Sequence, residues 1–171
     1  MENTKMSDKT KHLIKKIISL LIKLSIVAII IIMALIFIFG IFRLSGNNMY
    51  PALKDGDLCI TYKLDTYVAN DVVVYNIDGE IHFGRIIARE GDTIDGDKEG
   101  LLLNGFHANE EVFYSTDMTK TDLDLPITLG KDEFFILNDY RDDTNDSRTY
   151  GVVNKNSLKG KIIFIFRRRG F

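Results

Sequence analysis

The sequence predicts a mainly β domain carried behind one N-terminal transmembrane helix. Three observations lead there. Residues 24–42 form a run of 19 without a charge, in which only Ser25 and Gly40 are not strongly apolar. Residues 1–23 carry six lysines against only Glu2 and Asp8. After Arg43 the helical periodicity stops, and short runs of Val, Ile, Phe and Tyr alternate with Gly, Asn and Asp clusters, the pattern of strands and turns.

At 1.5 Å per helical residue the apolar run reaches about 28 Å, close to the hydrocarbon thickness of a bilayer. Lys23 at its inner edge can bring its ammonium to the headgroups. The lysine excess before the run, against the single Arg43 after it, places the N-terminus in the cytoplasm and the remainder outside. A cleaved secretory signal would have a shorter apolar region followed by small residues, whereas Gly40-Ile41-Phe42-Arg43-Leu44 is bulky and charged. The expected organisation is a basic cytoplasmic segment (1–23), a single-pass anchor (24–42) and an extracellular β domain (43–171).

Residues 44–171 carry 15 Lys and Arg against 22 Asp and Glu. An acidic exterior argues against nucleic-acid binding. Strands are expected near 58–63, 71–76, 81–89, 101–103, 133–137 and 161–166. The stretch Val72-Val73-Val74-Tyr75 is apolar on both faces and should be a central strand. Asn104-Gly105 between apolar runs predicts a two-residue hairpin turn. Residues 114–132 hold few apolar anchors and are expected to run over the surface. Cys59 has no partner cysteine in the chain and is read as a small buried hydrophobe. The C-terminal Arg167-Arg168-Arg169-Gly170-Phe171 is read either as a solvated tail or as a contact for anionic lipid or envelope polymers. Neither a metal nor a cofactor is expected.

Three stretches carry the chemistry. The first, Ser45-Gly46-Asn47-Asn48-Met49-Tyr50-Pro51-Ala52-Leu53-Lys54-Asp55-Gly56-Asp57, follows the apolar run directly. The second joins Asn70-Asp71-Val72-Val73-Val74-Tyr75 to Phe83-Gly84-Arg85-Ile86-Ile87-Ala88-Arg89-Glu90-Gly91-Asp92. The third is Asn138-Asp139-Tyr140-Arg141-Asp142-Asp143-Thr144-Asn145-Asp146-Ser147-Arg148-Thr149-Tyr150-Gly151. In order and spacing they resemble the boxes of type I signal peptidases, the serine/lysine-dyad family, over about residues 20–166. The resemblance is to the Gram-positive branch, and most of all to the catalytically inactive SipA-type proteins of pilus assembly.

That resemblance implies a signal-peptidase-like β-sheet or barrel domain. It puts Asn48 at the position of the nucleophilic serine and Gly84 at that of the general-base lysine. A serine hydroxyl is a weak nucleophile until a base takes its proton, and a lysine serves only when burial keeps it neutral. An asparagine amide and a glycine supply neither function, so the resemblance implies a peptidase fold without peptidase chemistry. The implied peptide-groove residues are Asn48, Met49, Tyr50, Pro51, His82 and Gly84. Arg85, Asp139, Arg141, Thr144, Asp146, Ser147 and Arg148 form a structural box, with Asp146 and Arg148 as a buried acid and its arginine partner. Thr144 stands where the family has a hydroxyl supporting the lysine. Asn138 replaces a glycine of the pattern, Tyr140 an asparagine, Ala52 a threonine and Glu90 a proline. The implied partners are pilin subunits or a sortase, with membrane lipid around the helix. The alternative is a substituted dyad in an active peptidase, with His82 as base on the same strand face as Gly84, and Ser45 as nucleophile.

Overall fold

The computed structural model describes residues 8–108, 115–121 and 123–167. Two compact units divide at Ile38/Phe39. The described part of the first is the helix α1 (Asp8–Ile38), and within it Thr10–Ile38 is long and apolar enough to cross a membrane. The helix begins inside the segment read as a basic tail. It also ends four residues before the apolar run does. Phe39–Arg43 is instead the first strand, β1, of the second unit, paired antiparallel with β2 (Leu58–Tyr62). Gly40 marks the change, since glycine weakens a helix and permits close approach of a neighbouring strand. A Cβ there would come closer than 3.0 Å to Thr61 Oγ1 on β2.

The second unit is built mainly of strands. β3 (Val72–Ile77) and β4 (Glu80–Arg89) form a hairpin. They are followed by β5 (Thr93–Asp97), β6 (Gly100–Leu103), β7 (Phe106–His107), β8 (Ile127–Thr128) and β9 (Glu133–Leu137). A single helical turn, α2 (Ser147–Tyr150), then precedes β10 (Val153–Asn154) and β11 (Leu158–Phe166). Among the described residues, seven strands make one sheet in the order β1-β2-β11-β3-β4-β9-β10, and four make a second in the order β7-β6-β5-β8.

The central position expected for residues 72–75 is observed. β3 lies in the middle of the larger sheet, with Val73, Val74 and Tyr75 fully buried. Val73 and Tyr75 pack with Ile86, Phe134, Ile136 and Val153, whereas Val74 packs with Leu44, Met49, Leu53, Cys59 and Phe83 on the other side. A register shift in β4 between Ile86 and Ala88 turns Ile87 and Ala88 into a third cluster with Ile94, Leu101, Met118 and Leu129. β4 thus contributes to every core of the domain.

The Asn104-Gly105 turn is present, with φ of 54° and 84°, both in the left-handed region that this hairpin requires. Cys59 is buried as expected, and burial followed by the nearby Asp57 charge pushes its thiol up to about 11.

Residues 114–132 are corrected where they are described. Thr116, Met118 and Leu129 are buried, and a Cβ on Gly96 would fall closer than 3.0 Å to Met118 Cβ and Cγ. One methionine sealing the smaller sheet needs only a bare glycine beneath it, a contact that composition does not announce. Arg167 is also held, donating to the Ala52 carbonyl at 2.9 Å and lying 3.8 Å from the Asp57 carboxylate. Residues 168–171 of the arginine-rich end lie outside the described residues.

Candidate functional site

The loop between β1 and β2 is shaped by its apolar members. Leu44, Met49 and Leu53 are buried, and reciprocal bonds tie its ends, Leu44 N–H to the Asp57 carbonyl and Gly56 N–H to the Leu44 carbonyl, both 2.9 Å. With Met49 inward, Asn48 is left facing a cleft of about 300 Å³. The cleft is lined by Arg43 at the end of β1, residues 44–48 of this loop, residues 80–83 of β4, Asp143 and Asn145.

Of the groove candidates, Asn48 and His82 line this cleft. Met49 is core, and Tyr50 and Pro51 are not among the lining residues; Tyr50 is exposed beneath the Lys54 ammonium, 5.7 Å from its ring centre. Ser45 also lines the cleft, but no hydrogen bond joins it to His82 among the described residues. The His82 ring instead stacks on Tyr75, 5.5 Å between centres, and lies 5.7 Å from Tyr150.

Gly84 is buried, and the space a side chain would need is occupied. A Cβ there would come closer than 3.0 Å to Ile136 Cγ2, 3.2 Å to Tyr75 Cε1 and 3.3 Å to the Leu137 carbonyl. Tyr75 is fixed by its neighbours, its hydroxyl 2.6 Å from that of Tyr150, which in turn donates to the Asn145 carbonyl. Burial, and next the Tyr150 hydroxyl, holds the Tyr75 phenol far above its ordinary range, so it stays neutral.

Asn48 is engaged as well. Its Nδ2 donates to the Phe83 carbonyl at 3.3 Å and to Asn138 Oδ1 at 3.0 Å, and its own carbonyl accepts from Tyr140 N–H at 2.9 Å. Asn138, fully buried, passes its amide protons to the carbonyls of Asp143 and Asn145. The sequence singled out Asn138 only as a departure from glycine; nothing local marks it as the partner of a residue 90 positions away.

The structural box holds the loop after β9. Arg148 makes a two-pronged bond to Asp146, 2.9 and 2.8 Å, with both side chains fully buried. The Asp146 carboxylate also accepts from the backbone N–H of Asn138 and of Arg148, capping α2. Arg148 further donates to the carbonyls of Arg141 and Asp143. Arg141, itself buried, donates to the Asn138 carbonyl. Ser147 Oγ accepts from Ile136 N–H at 2.9 Å. Arg85 grips Asp139 with 2.7 and 2.6 Å bonds and reaches the Asn70 carbonyl. Thr144 contributes backbone, its carbonyl accepting from Thr149 Oγ1 and Asp146 N–H.

The family model for signal peptidases, peptidase S26, matches residues 14–167 of this chain. The chain belongs to that family. Among curated signal peptidases, one named signal peptidase I P from Bacillus subtilis subsp. natto is 29% identical over 94% of this chain and 95% of its own length. A protein of Staphylococcus aureus named inactive signal peptidase IA is 27% identical, over 86% of this chain and 90% of its own. A crystal structure of a signal peptidase I from Enterococcus faecalis aligns at 20% identity and a TM-score of 0.46, over 58% of this chain and 98% of that one.

Proposed function

We propose that this member of the signal peptidase family is non-catalytic. It holds an extended segment of an exported protein beside the membrane, as a chaperone-like partner of pilin subunits or a sortase in pilus assembly. One observation carries the reading: the Gly84 position, aligned with the general base of the family motif, is packed shut by Ile136 and Tyr75. Asn48, aligned with the nucleophile, has its amide committed to Phe83 and Asn138. The relative named inactive signal peptidase IA supports loss of chemistry as an outcome within this family. The lysine-rich N-terminus and apolar helix support an inside-to-outside topology, with the β domain on the export side.

Binding without cleavage uses backbone. β9 pairs with β4 only from Arg85 onward, so residues 80–83, which line the cleft, have one side that β9 leaves uncovered. An extended chain can add there as a strand. The test has two arms. The full chain in detergent, mixed with a synthetic signal-peptide substrate, should give no cleavage product. A photo-crosslinking residue at Ile81 should capture pilin or sortase in cells that assemble pili. Specific cleavage would overturn the non-catalytic reading, and capture of neither protein would overturn the assembly role.

The second reading, an active peptidase with a substituted dyad, is favoured by one observation, that Ser45 and His82 line the same cleft. Cleavage abolished by either Ser45→Ala or His82→Ala is the result it requires.

A further inference from the structure

We propose that Asn48 and Asn138 form a clip that seals the inner end of the cleft. An incoming strand can then bond to β4 only through Ile81 and the Phe83 N–H. The consequence for binding rests on the strand-addition reading above; the clip itself does not.

Along a strand, successive residues turn their backbone groups to opposite sides. Ile86 exchanges bonds with Asn70 and Asp71 on the β3 side, its N–H donating to the Asp71 carbonyl and its carbonyl accepting from Asn70 N–H. Counting back by twos, Gly84 and His82 also face β3, whereas Phe83 and Ile81 face the uncovered side. The Asn48 contact agrees, because it reaches the Phe83 carbonyl from the loop across the cleft. That carbonyl is one of four backbone groups that Ile81 and Phe83 offer to a guest, and Asn48 already engages one of its two lone pairs from the side a guest would use.

The chemistry explains why an amide stands here. The Nδ2 of asparagine carries two protons set widely apart, so one atom can donate to β4 and to Asn138 together. A serine hydroxyl carries one proton and would leave one acceptor unserved. Asn138 then relays the tie to the Asp143 and Asn145 carbonyls on the far wall. Two departures from the family motif, far apart in sequence, thus make one connection through three parts of the site. The replacement at position 48 supplies a bridge as well as removing a hydroxyl.

A double-mutant cycle on the full chain in detergent tests the clip without any ligand. Asn48→Ala, Asn138→Ala and the double variant are compared by urea-dependent pulse proteolysis. The clip predicts that the two effects are non-additive by at least about threefold in the folded-to-unfolded ratio. Additive effects overturn it. Where Asn138→Ala does not fold, Asn48→Asp keeps the shape and removes both donors. An unchanged folded-to-unfolded ratio in that variant overturns the clip equally.

The second measurement is the affinity of a fluorescent ten-residue alanine/serine peptide. Freeing one backbone acceptor in Asn48→Ala should tighten binding roughly three- to tenfold, with Thr66→Ala, outside the cleft, unchanged. Equal or weaker binding to Asn48→Ala overturns the seal. Coupling in the cycle with no peptide bound by either protein leaves the clip standing and removes strand addition instead.

Discussion

A side chain at Gly84 is crowded because Ile136 and Tyr75 occupy the room that one would need. Gly84→Ala should therefore cost about 1–3 kcal/mol by overpacking, read as a lower urea midpoint. Ile136→Ala, which opens a cavity by itself, should cost less in the Gly84→Ala background than in the unaltered chain. Restoring the motif with Asn48→Ser and Gly84→Lys together should yield no peptidase activity on a signal-peptide substrate, because the lysine has nowhere to lie. Cys59 gives a test in pH. Its thiol is raised from 9.0 to about 11 in the folded chain, so the folded state favours the protonated form. The stability this contributes is complete below pH 9 and is lost as the pH rises through 11. Cys59→Ala should flatten the alkaline fall of the unfolding midpoint across that window. At this scale the sequence was informative where identity alone decides the matter. A lone cysteine in an apolar strand is such a case. The filling of the Gly84 site is not, because Ile136 is an ordinary strand residue until its neighbour lacks a Cβ.

Among elements, the loop after β9 stands on two ion pairs of different burial. Asp146 and Arg148 are fully buried, whereas the Arg85 side chain opposite Asp139 is 23% exposed. Removing one member of a buried pair leaves the other charged and unserved, so Arg148→Ala should destabilise by about 3–5 kcal/mol. Arg85→Ala should cost roughly half as much, since water can reach the site it leaves. Thermal unfolding of both variants checks the order. The Asn104 turn offers a smaller effect. Asn104→Ala keeps the unfavourable positive φ and loses bonds to Thr93 and Asp92, for about 1–2 kcal/mol. Element existence was legible wherever β-branched or aromatic residues cluster, as in β3, β4 and β9. β5 was missed because Thr93–Asp97 carries two aspartates and a glycine, with Ile94 its only fully buried side chain. The two-residue strands β8 and β10 are set by their partners rather than by any pattern of their own.

For the whole chain, the helix and the mainly β class follow from hydropathy and strand composition, and the family match over residues 14–167 agrees with them. Orientation has its own check. A cysteine placed at Thr66, in a Cys59→Ala background, should react with a membrane-impermeant maleimide on intact cells, and one at Thr4 should react only after lysis. Hydropathy was silent on where the helix stops, because Phe39–Phe42 suits lipid and a sheet equally well. That seam has a practical side. A soluble fragment cut where hydropathy ends, starting at Leu44, would lack β1 altogether. Its β2 would present an unpaired backbone row, and the pocket beside Cys59 and Leu53 would lose the Phe42 ring. That fragment should unfold at a lower urea concentration than one starting at Phe39, which keeps the β1–β2 ladder and the Phe42 ring. The same four residues that complete an apolar run on paper belong to the outermost strand of the sheet.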